Sequence, residues 1–528
     1  MTSGQVDANE TVSLRVWIGF LAMCVGMFMA ILDIQIVASS LTNIGGALHI
    51  GQDQLSWIQT SYLIAEIVAI PLTGWLTRAV SLRVLFFAAT LGFTLASLGC
   101  AASTSEALLI GARIVQGFCG GMLIPAVFTS VFTLFPERRQ LLATTIAGSF
   151  AMIAPTIGPA LGGYMTERWS WHWIFLINLP PGIIVCLTVL AFVSTGRPHW
   201  HLLRDIDYAT IIAAALFLGG LELLLKEGPG HDWHGPLVTP LLVLCPLLGA
   251  AAIALCLTRK RPFVDLRRFR DRDFSLGCAL SFVLGAGLYG STYLMALFLG
   301  LVRRHSPLEI GMIMAVTGAA QLLTAPGAAF AETRVNAKWL AAAGFALFGA
   351  GLFANGFTTA RTDFDGLFWP QVFRGVSLLV CLLPATRLAL DHWPADDLAE
   401  ASAMFNLMRN LGGAIGLALI DTILERRTPG HFTDLTTLLA AGNRETARLV
   451  GLPLAEFHNV PLGPIDPVMK AIAKPLVERA ALSQSFNEAW LMLGAFFVFA
   501  LFLIPFIRND EATRTGTIPW EPDVPEAS

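Results

Sequence analysis

Apolar runs of about 20 residues, the length a helix needs to cross the hydrocarbon core of a bilayer, recur along the whole chain. They fall near 16–39, 55–77, 84–103, 106–132, 140–164 and 173–195, then near 208–226 and 237–257. Six more lie near 274–301, 308–330, 339–358, 367–390, 399–424 and 486–507. Hydrocarbon offers the backbone no water, so each run must close its own hydrogen bonds, and only a helix does that within one segment. Fourteen membrane helices are therefore expected, an all-α polytopic fold with both termini on one side. Charged residues make up 13% of the 528, against about 25% in a soluble domain, which excludes a soluble protein, and no nucleic-acid partner is expected.

Lysine and arginine decide which side the termini take, because short cytoplasmic loops collect them. With the N-terminus inside, the short inner loops hold fifteen of these residues and the short outer loops four. Both termini are expected in the cytoplasm. The N-terminus lacks the charged start and small-residue cleavage site of a signal peptide, so the first run reads as a retained helix. All eight cysteines fall in apolar runs and read as small hydrophobes.

Three stretches are not apolar. Loop 258–273, TRKRPFVDLRRFRDRD, is strongly basic and reads as an inner connection. Residues 425–484 read as a long outer loop with a surface helix between Asp466 and Ser483, and the polar tail 508–528 reads as disordered. A weak internal repeat relates 71–83 to 326–338, and Arg113 to Arg374 at matching points of corresponding helices. The expected organisation is a six-helix bundle over 1–207, two inserted helices over 208–257, a second six-helix bundle over 258–507 and a cytoplasmic tail.

Charged and polar residues inside the apolar runs carry the functional reading, because each costs several kcal/mol in lipid unless it finds a partner. LLIGARIVQGFCGGMLIP, Leu108 to Pro125, holds one arginine, Arg113, and one amide, Gln116, with Gly117 and Gly121 spaced for close helix packing. Counting 1.5 Å per residue puts Asp33 and Arg113 each about 10 Å below the outer surface, so a pair is geometrically open. Such a pair suits proton coupling, since burial raises a carboxyl pKa and a neighbouring arginine lowers it. It also suits a permanent ion pair that fixes helix register. Glu66 sits near mid-membrane without a basic neighbour on its own helix before Arg78. It reads either as a carboxylate facing a wet cavity or as a protonated group bonded to the backbone. Gln35, Tyr62, Gln116 and Gln321 are candidate lining residues of a substrate cavity. Arg374 and Arg409 lie inside apolar runs, whereas Arg387 and Asp421 are expected near helix ends, able to snorkel.

GSFAMIAPTIGPALGG, Gly148 to Gly163, brings Pro155, Gly158, Pro159 and Gly162 onto one helix face, with Gly163 beside it. Two prolines one turn apart kink a helix and the glycines admit a close neighbour, which suits a hinge or gate. No P-loop, nucleophile elbow or metal-ligand spacing is present in the sequence, so no enzyme, cofactor or metal is expected.

These motifs resemble those of the major facilitator superfamily, and within it the fourteen-helix drug:proton antiporter family. RIVQGFCGG at Arg113 to Gly121 is similar to the fourth-helix motif, and APTIGPALGG at Ala154 to Gly163 to the fifth-helix antiporter motif. ILDIQIVASSL at Ile31 to Leu41 resembles the acidic first-helix motif, and WSWHWIFLINLPPG at Trp169 to Gly182 the signature before the sixth helix. In the loop after the second helix, Arg78 and Ser81 stand where the family has Asp and Gly. The resemblance implies the major facilitator fold in a bacterial inner (plasma) membrane. It implies export of amphipathic drugs, dyes or detergents in exchange for protons by alternating access, with Arg113 in proton transfer. A periplasmic adaptor and an outer-membrane channel are the implied protein partners. Export of a specific metabolite or siderophore, or a proton-independent facilitator or sensor, remain open alternatives.

Overall fold

The structure, a computed structural model, describes residues 12–51, 54–194, 208–230, 233–259, 266–390, 393, 395–462 and 467–507. Its helices are α1 (Leu14–Ala38), α2 (Leu41–Leu48), α3 (Trp57–Val80), α4 (Leu82–Ala101), α5 (Glu106–Leu134), α6 (Glu137–Arg168), α7 (Trp173–Leu176), α8 (Leu179–Phe192) and α9 (Tyr208–Gly230). They continue as α10 (Val238–Thr258), α11 (Arg272–Leu297), α12 (Pro307–Arg334), α13 (Ala337–Asn355), α14 (Phe364–Leu390), α15 (Ala395–Ala440), α16 (Arg444–Val450) and α17 (Pro467–Leu503). The polar tail 508–528 and residues 260–265 of the basic loop fall outside the described residues.

Among the described residues, twelve helices are long and apolar enough to cross a membrane. The segments expected to span at 55–77 and 208–226 are also helical, as α3 and α9. Within them the described apolar stretches are Trp57–Ile70 and Tyr208–Leu221. The chain is thus a multi-pass membrane protein: among the described residues twelve of the fourteen expected crossings are long apolar helices, and the other two segments are helical as well.

Helices α1, α3, α4, α5, α6 and α8 pack among themselves, and α11 to α15 with α17 do likewise. Contact between the two groups runs through α6 against α12 and α3 against α15, while α9 lies on α10 and α15. Glycines decide how near these helices come. Gly285 of α11 faces the Arg409 carbonyl of α15, and Gly412 of α15 faces the Phe282 carbonyl of α11, so any side chain at either site would collide with backbone. The same rule seats α5 on α3: Gly117 lies against the Tyr62 backbone and Gly121 against that of Glu66.

Residues 425–484, expected as a long outer loop, are largely helical. Helix α15 runs for 46 residues and α17 for 37, so both continue past the length of a membrane span. Leu435, Leu439, Ala447, Val450, Phe457, Val477, Ala480 and Ala481 bury one another in a small separate core. That burial keeps the extensions helical even through Pro429 and Pro475. The helix expected between Asp466 and Ser483 is the first part of α17.

Ser81, between α3 and α4, has φ 75° and ψ 152°. This conformation belongs almost entirely to glycine, so the serine occupies a backbone that the glycine of the family motif would take without strain.

Candidate functional site

Arg113 and Asp33, expected at equal depth, form an ion pair in which both side chains are fully buried. Arg113 Nη1 donates to Asp33 Oδ2, and also to Gln116 Oε1 at 2.7 Å. Its Nε donates to the Ile58 carbonyl at 2.9 Å. The guanidinium lies 4.4 Å from the centre of the Tyr62 ring and 5.9 Å from that of Phe175. Asp33 Oδ1 accepts from Gln116 Nε2 at 2.9 Å and from Asn178 Nδ2 at 2.8 Å. Both amides also reach Ser97 Oγ, at 2.8 Å and 3.3 Å. Five helix segments, α1, α3, α4, α5 and the start of α8, therefore converge on one carboxylate and one guanidinium. A buried pair is tolerated only when such extra bonds satisfy its remaining valences. One valence stays open: Arg113 Nη2 donates to no described group.

Asn178 and Ser97 were not among the expected site residues. Asn178 is the polar residue of the INLPPG stretch, 145 positions from Asp33. A lone polar residue in an apolar run was the available signal, but nothing in one sequence ties it to α1.

The four cavity candidates are all buried: Gln35 at 6% exposure, Tyr62 at 0%, Gln116 at 0% and Gln321 at 4%. Tyr62 and Gln116 belong to the Arg113 network, and Gln35 sits at the contact of α1 with α6, where Gly158 faces its Cβ. Glu66 is also buried, at 1% exposure. Of the cations around it, Arg409 of α15 acts on it most strongly, ahead of Arg113 of α5. Tyr289 Oη donates to Asn410 Oδ1 at 3.2 Å, and Arg409 donates to Asn406 Oδ1. Glu66 Oε2 has no partner among the described residues. Sequence reasoning gives Arg409 no partner, and the carboxyl whose charge it faces, Glu66, stands more than three hundred positions earlier in the chain.

The glycine–proline helix is α6. Gly158 faces Gln35 and Gly162 faces the Ile36 carbonyl, both on α1. The adjoining side meets α12: Gly163 faces the Pro307 carbonyl, Gly311 faces Pro159, and Gly318 faces Thr156. Thr156 Oγ1 donates to the Gly318 carbonyl at 3.2 Å, and Leu308 N donates to Glu167 Oε2 at 3.2 Å. This closure runs from the end of α6 away from the termini down to its middle. Nearer the termini it ceases: a side chain at Gly148 of α6 or Gly327 of α12 would meet nothing within 4 Å. Gly148 therefore takes no part in the packed face.

Asp421, expected to snorkel at a helix end, is 6% exposed. It accepts from Tyr293 Oη at 2.8 Å and from Ser56 Oγ at the start of α3. The reason is the length of α15: the helix continues to Ala440, so Asp421 lies within it, not at its end. Arg387 is half-buried and bonds to Glu332 of α12, through its carbonyl at 3.0 Å and its carboxylate at 3.4 Å.

Residues 23–417 match the Major Facilitator Superfamily. The chain is 36% identical to the colistin resistance protein EmrB of Acinetobacter baumannii over 93% of its own length and 96% of the relative's. It is 29% identical to the multidrug export protein EmrB of Escherichia coli over 79% and 81%. To the fatty acid resistance protein FarB of Neisseria gonorrhoeae it is 30% identical over 81% and 85%. Its fold is similar to an inward-facing bacterial homologue of the human lysosomal transporter Spinster, with TM-score 0.61 and 13% identity over 95% of this chain and 100% of that one. With its apolar helices, its buried arginine motif and these likenesses across most of its length, the chain belongs to the major facilitator superfamily.

Proposed function

We propose that the chain exports amphipathic organic compounds, drugs among them, in exchange for protons by alternating access. The observation that carries the proton step is the fully buried Arg113–Asp33 pair with Arg113 Nη2 left unbonded. Protonation of Asp33 removes the charge that holds the guanidinium, and the freed arginine then has no other acid in ion-pair range among the described residues. A buried cation in that position drives rearrangement, because leaving it unpaired costs about 3–5 kcal/mol. Glu66 and Arg409 extend the same dependence across α3 and α15, the helices that would have to part. The names of the relatives, multidrug export and resistance proteins, support drugs as the cargo.

In this reading the termini are cytoplasmic, the membrane is a bacterial inner membrane, and the α6–α12 closure seals the outer side, so the state is inward-facing. Two six-helix bundles, over 1–207 and 258–507, would rock about that seal, with α3 and α9 completing fourteen crossings. A periplasmic adaptor and an outer-membrane channel would carry the compound onward. The test is export from proteoliposomes under an imposed pH gradient. Accumulation that follows the gradient, and collapses when a protonophore dissipates it, is the expected result. Accumulation that ignores the gradient refutes coupling.

A further inference from the structure

A buried arginine of the second half, Arg374, has no acid in ion-pair range among the described residues. Arg374, on α14, is 3% exposed, and ten positions from the start of its helix place it about 15 Å inside. Its Nη2 reaches Thr317 Oγ1 at a long 3.4 Å, and its guanidinium lies 5.5 Å from the centre of the Trp490 ring. Its Nε and Nη1 donate to no described group. Gln371, one turn earlier, is 0% exposed. Its Oε1 accepts from Thr317 at 3.2 Å, and its Nε2 has no acceptor. Asn355, also 0% exposed, has neither amide atom bonded. It stands one turn beyond Gly351, which packs against the Pro370 carbonyl and Arg374 Cγ, so it continues the face of α13 turned toward α14.

The contrast with Arg113 is chemical. There, a carboxylate, a backbone carbonyl and an amide oxygen take up the guanidinium. Around Arg374 the open valences of α14 are all N–H donors, three of them on two residues. The Trp490 face attracts the positive charge, but a ring face cannot accept the in-plane N–H bonds that Nε and Nη1 offer. A cation with spare donors in a membrane interior calls for an acceptor that carries negative charge.

We propose that Arg374, Gln371 and Asn355 form a binding site for one small monovalent anion, of halide or carboxylate size. The anion bonds to Arg374 Nε and Nη1 and to Gln371 Nε2, with the Asn355 amide as a further donor. Its source is either an inorganic counter-ion or the carboxylate of a transported compound.

The test is thermal unfolding of the purified full-length protein in detergent. Chloride or acetate replaces a bulky sulfonate buffer anion at constant ionic strength, since a ligand of the folded state raises the midpoint saturably. A saturable rise is expected. A rise with chloride alone assigns the inorganic source, and one with acetate assigns the carboxylate. Gln371→Leu, which keeps the volume and removes one donor, should raise the half-saturating concentration about tenfold. Arg374→Gln should abolish the response. If Arg374→Gln does not fold, Gln371→Leu alone decides. No rise for the wild type, or an unchanged half-saturation in Gln371→Leu, overturns the proposal.

Discussion

Replacing Asp33 by asparagine tests the proton step and the packing of the site together. In the folded protein Asp33 takes up three donors: Arg113 Nη1, Gln116 Nε2 and Asn178 Nδ2. An asparagine keeps the shape but offers one acceptor oxygen, and its NH2 faces groups that already donate. Arg113 then stays buried with neither charge partner nor full hydrogen bonding, a loss of about 3–5 kcal/mol in stability. Removing the cation as well, in Asp33→Asn with Arg113→Gln, should return most of that loss, because residues in contact are not additive. Transport behaves differently. A pH gradient of one unit is worth about 1.4 kcal/mol per proton, which sustains roughly a tenfold concentration gradient for each proton exchanged. Proteoliposomes carrying wild-type protein should approach that ratio. Those carrying Asp33→Asn, alone or with Arg113→Gln, should equilibrate the compound without accumulating it. Thermal unfolding in detergent reads the first quantity and accumulation reads the second. If the double variant regains stability and still accumulates compound with the gradient, Asp33 does not couple protons and the mechanism proposed here fails.

Three further substitutions probe separate parts of the structure. Gly158→Leu drives a side chain into α1, since even its Cβ would lie 2.7 Å from that of Gln35. Overpacking of about 1–3 kcal/mol should lower the unfolding midpoint and stall transport, and full activity at an unchanged midpoint would refute the packing argument. Glu66→Gln removes the carboxylate on which the charge of Arg409 acts, so export of cationic and neutral compounds should fall together by about tenfold or more; a loss confined to cations would instead make Glu66 a substrate contact. Ser81→Gly relieves the positive-φ backbone and should stabilise the protein by about 1 kcal/mol, read as a raised unfolding midpoint; a lowered midpoint would show that the Ser81 side chain contributes more than its strain costs.

What can be read in the sequence here is whatever depends on one helix at a time. Apolar length gives the helices and their order, and rise per residue brings Asp33 and Arg113 to one depth before any fold is known. The glycine spacing in α5 and α6 likewise marks faces that a neighbour must approach. What escapes is the identity of the neighbour. Asn178 reaches Asp33, and the charge of Arg409 acts on Glu66, through packing of helices distant in the chain, and burial alone carries no address. Asp421 shows a second limit: placing it near a helix end assumed that α15 stops at the edge of the apolar run. A helix stops where its burial and bonding stop, and the core formed by Leu435, Leu439 and Ala481 lies beyond that edge.

The length of α15 makes it a lever. From Arg409, beside Glu66, to Ala440 at its tip are 31 positions of one helix, at most about 46 Å at 1.5 Å per residue, less whatever Pro429 bends. If its bundle turns by about 15°, of the order seen when rigid subunits rotate, the tip sweeps roughly 12 Å. A movement of one or two ångströms around the buried charges thus becomes a displacement far from them that a pair of distance labels can record. One label near the tip of α15 and another on the outer end of α6 would read the state of the buried pair from outside the membrane.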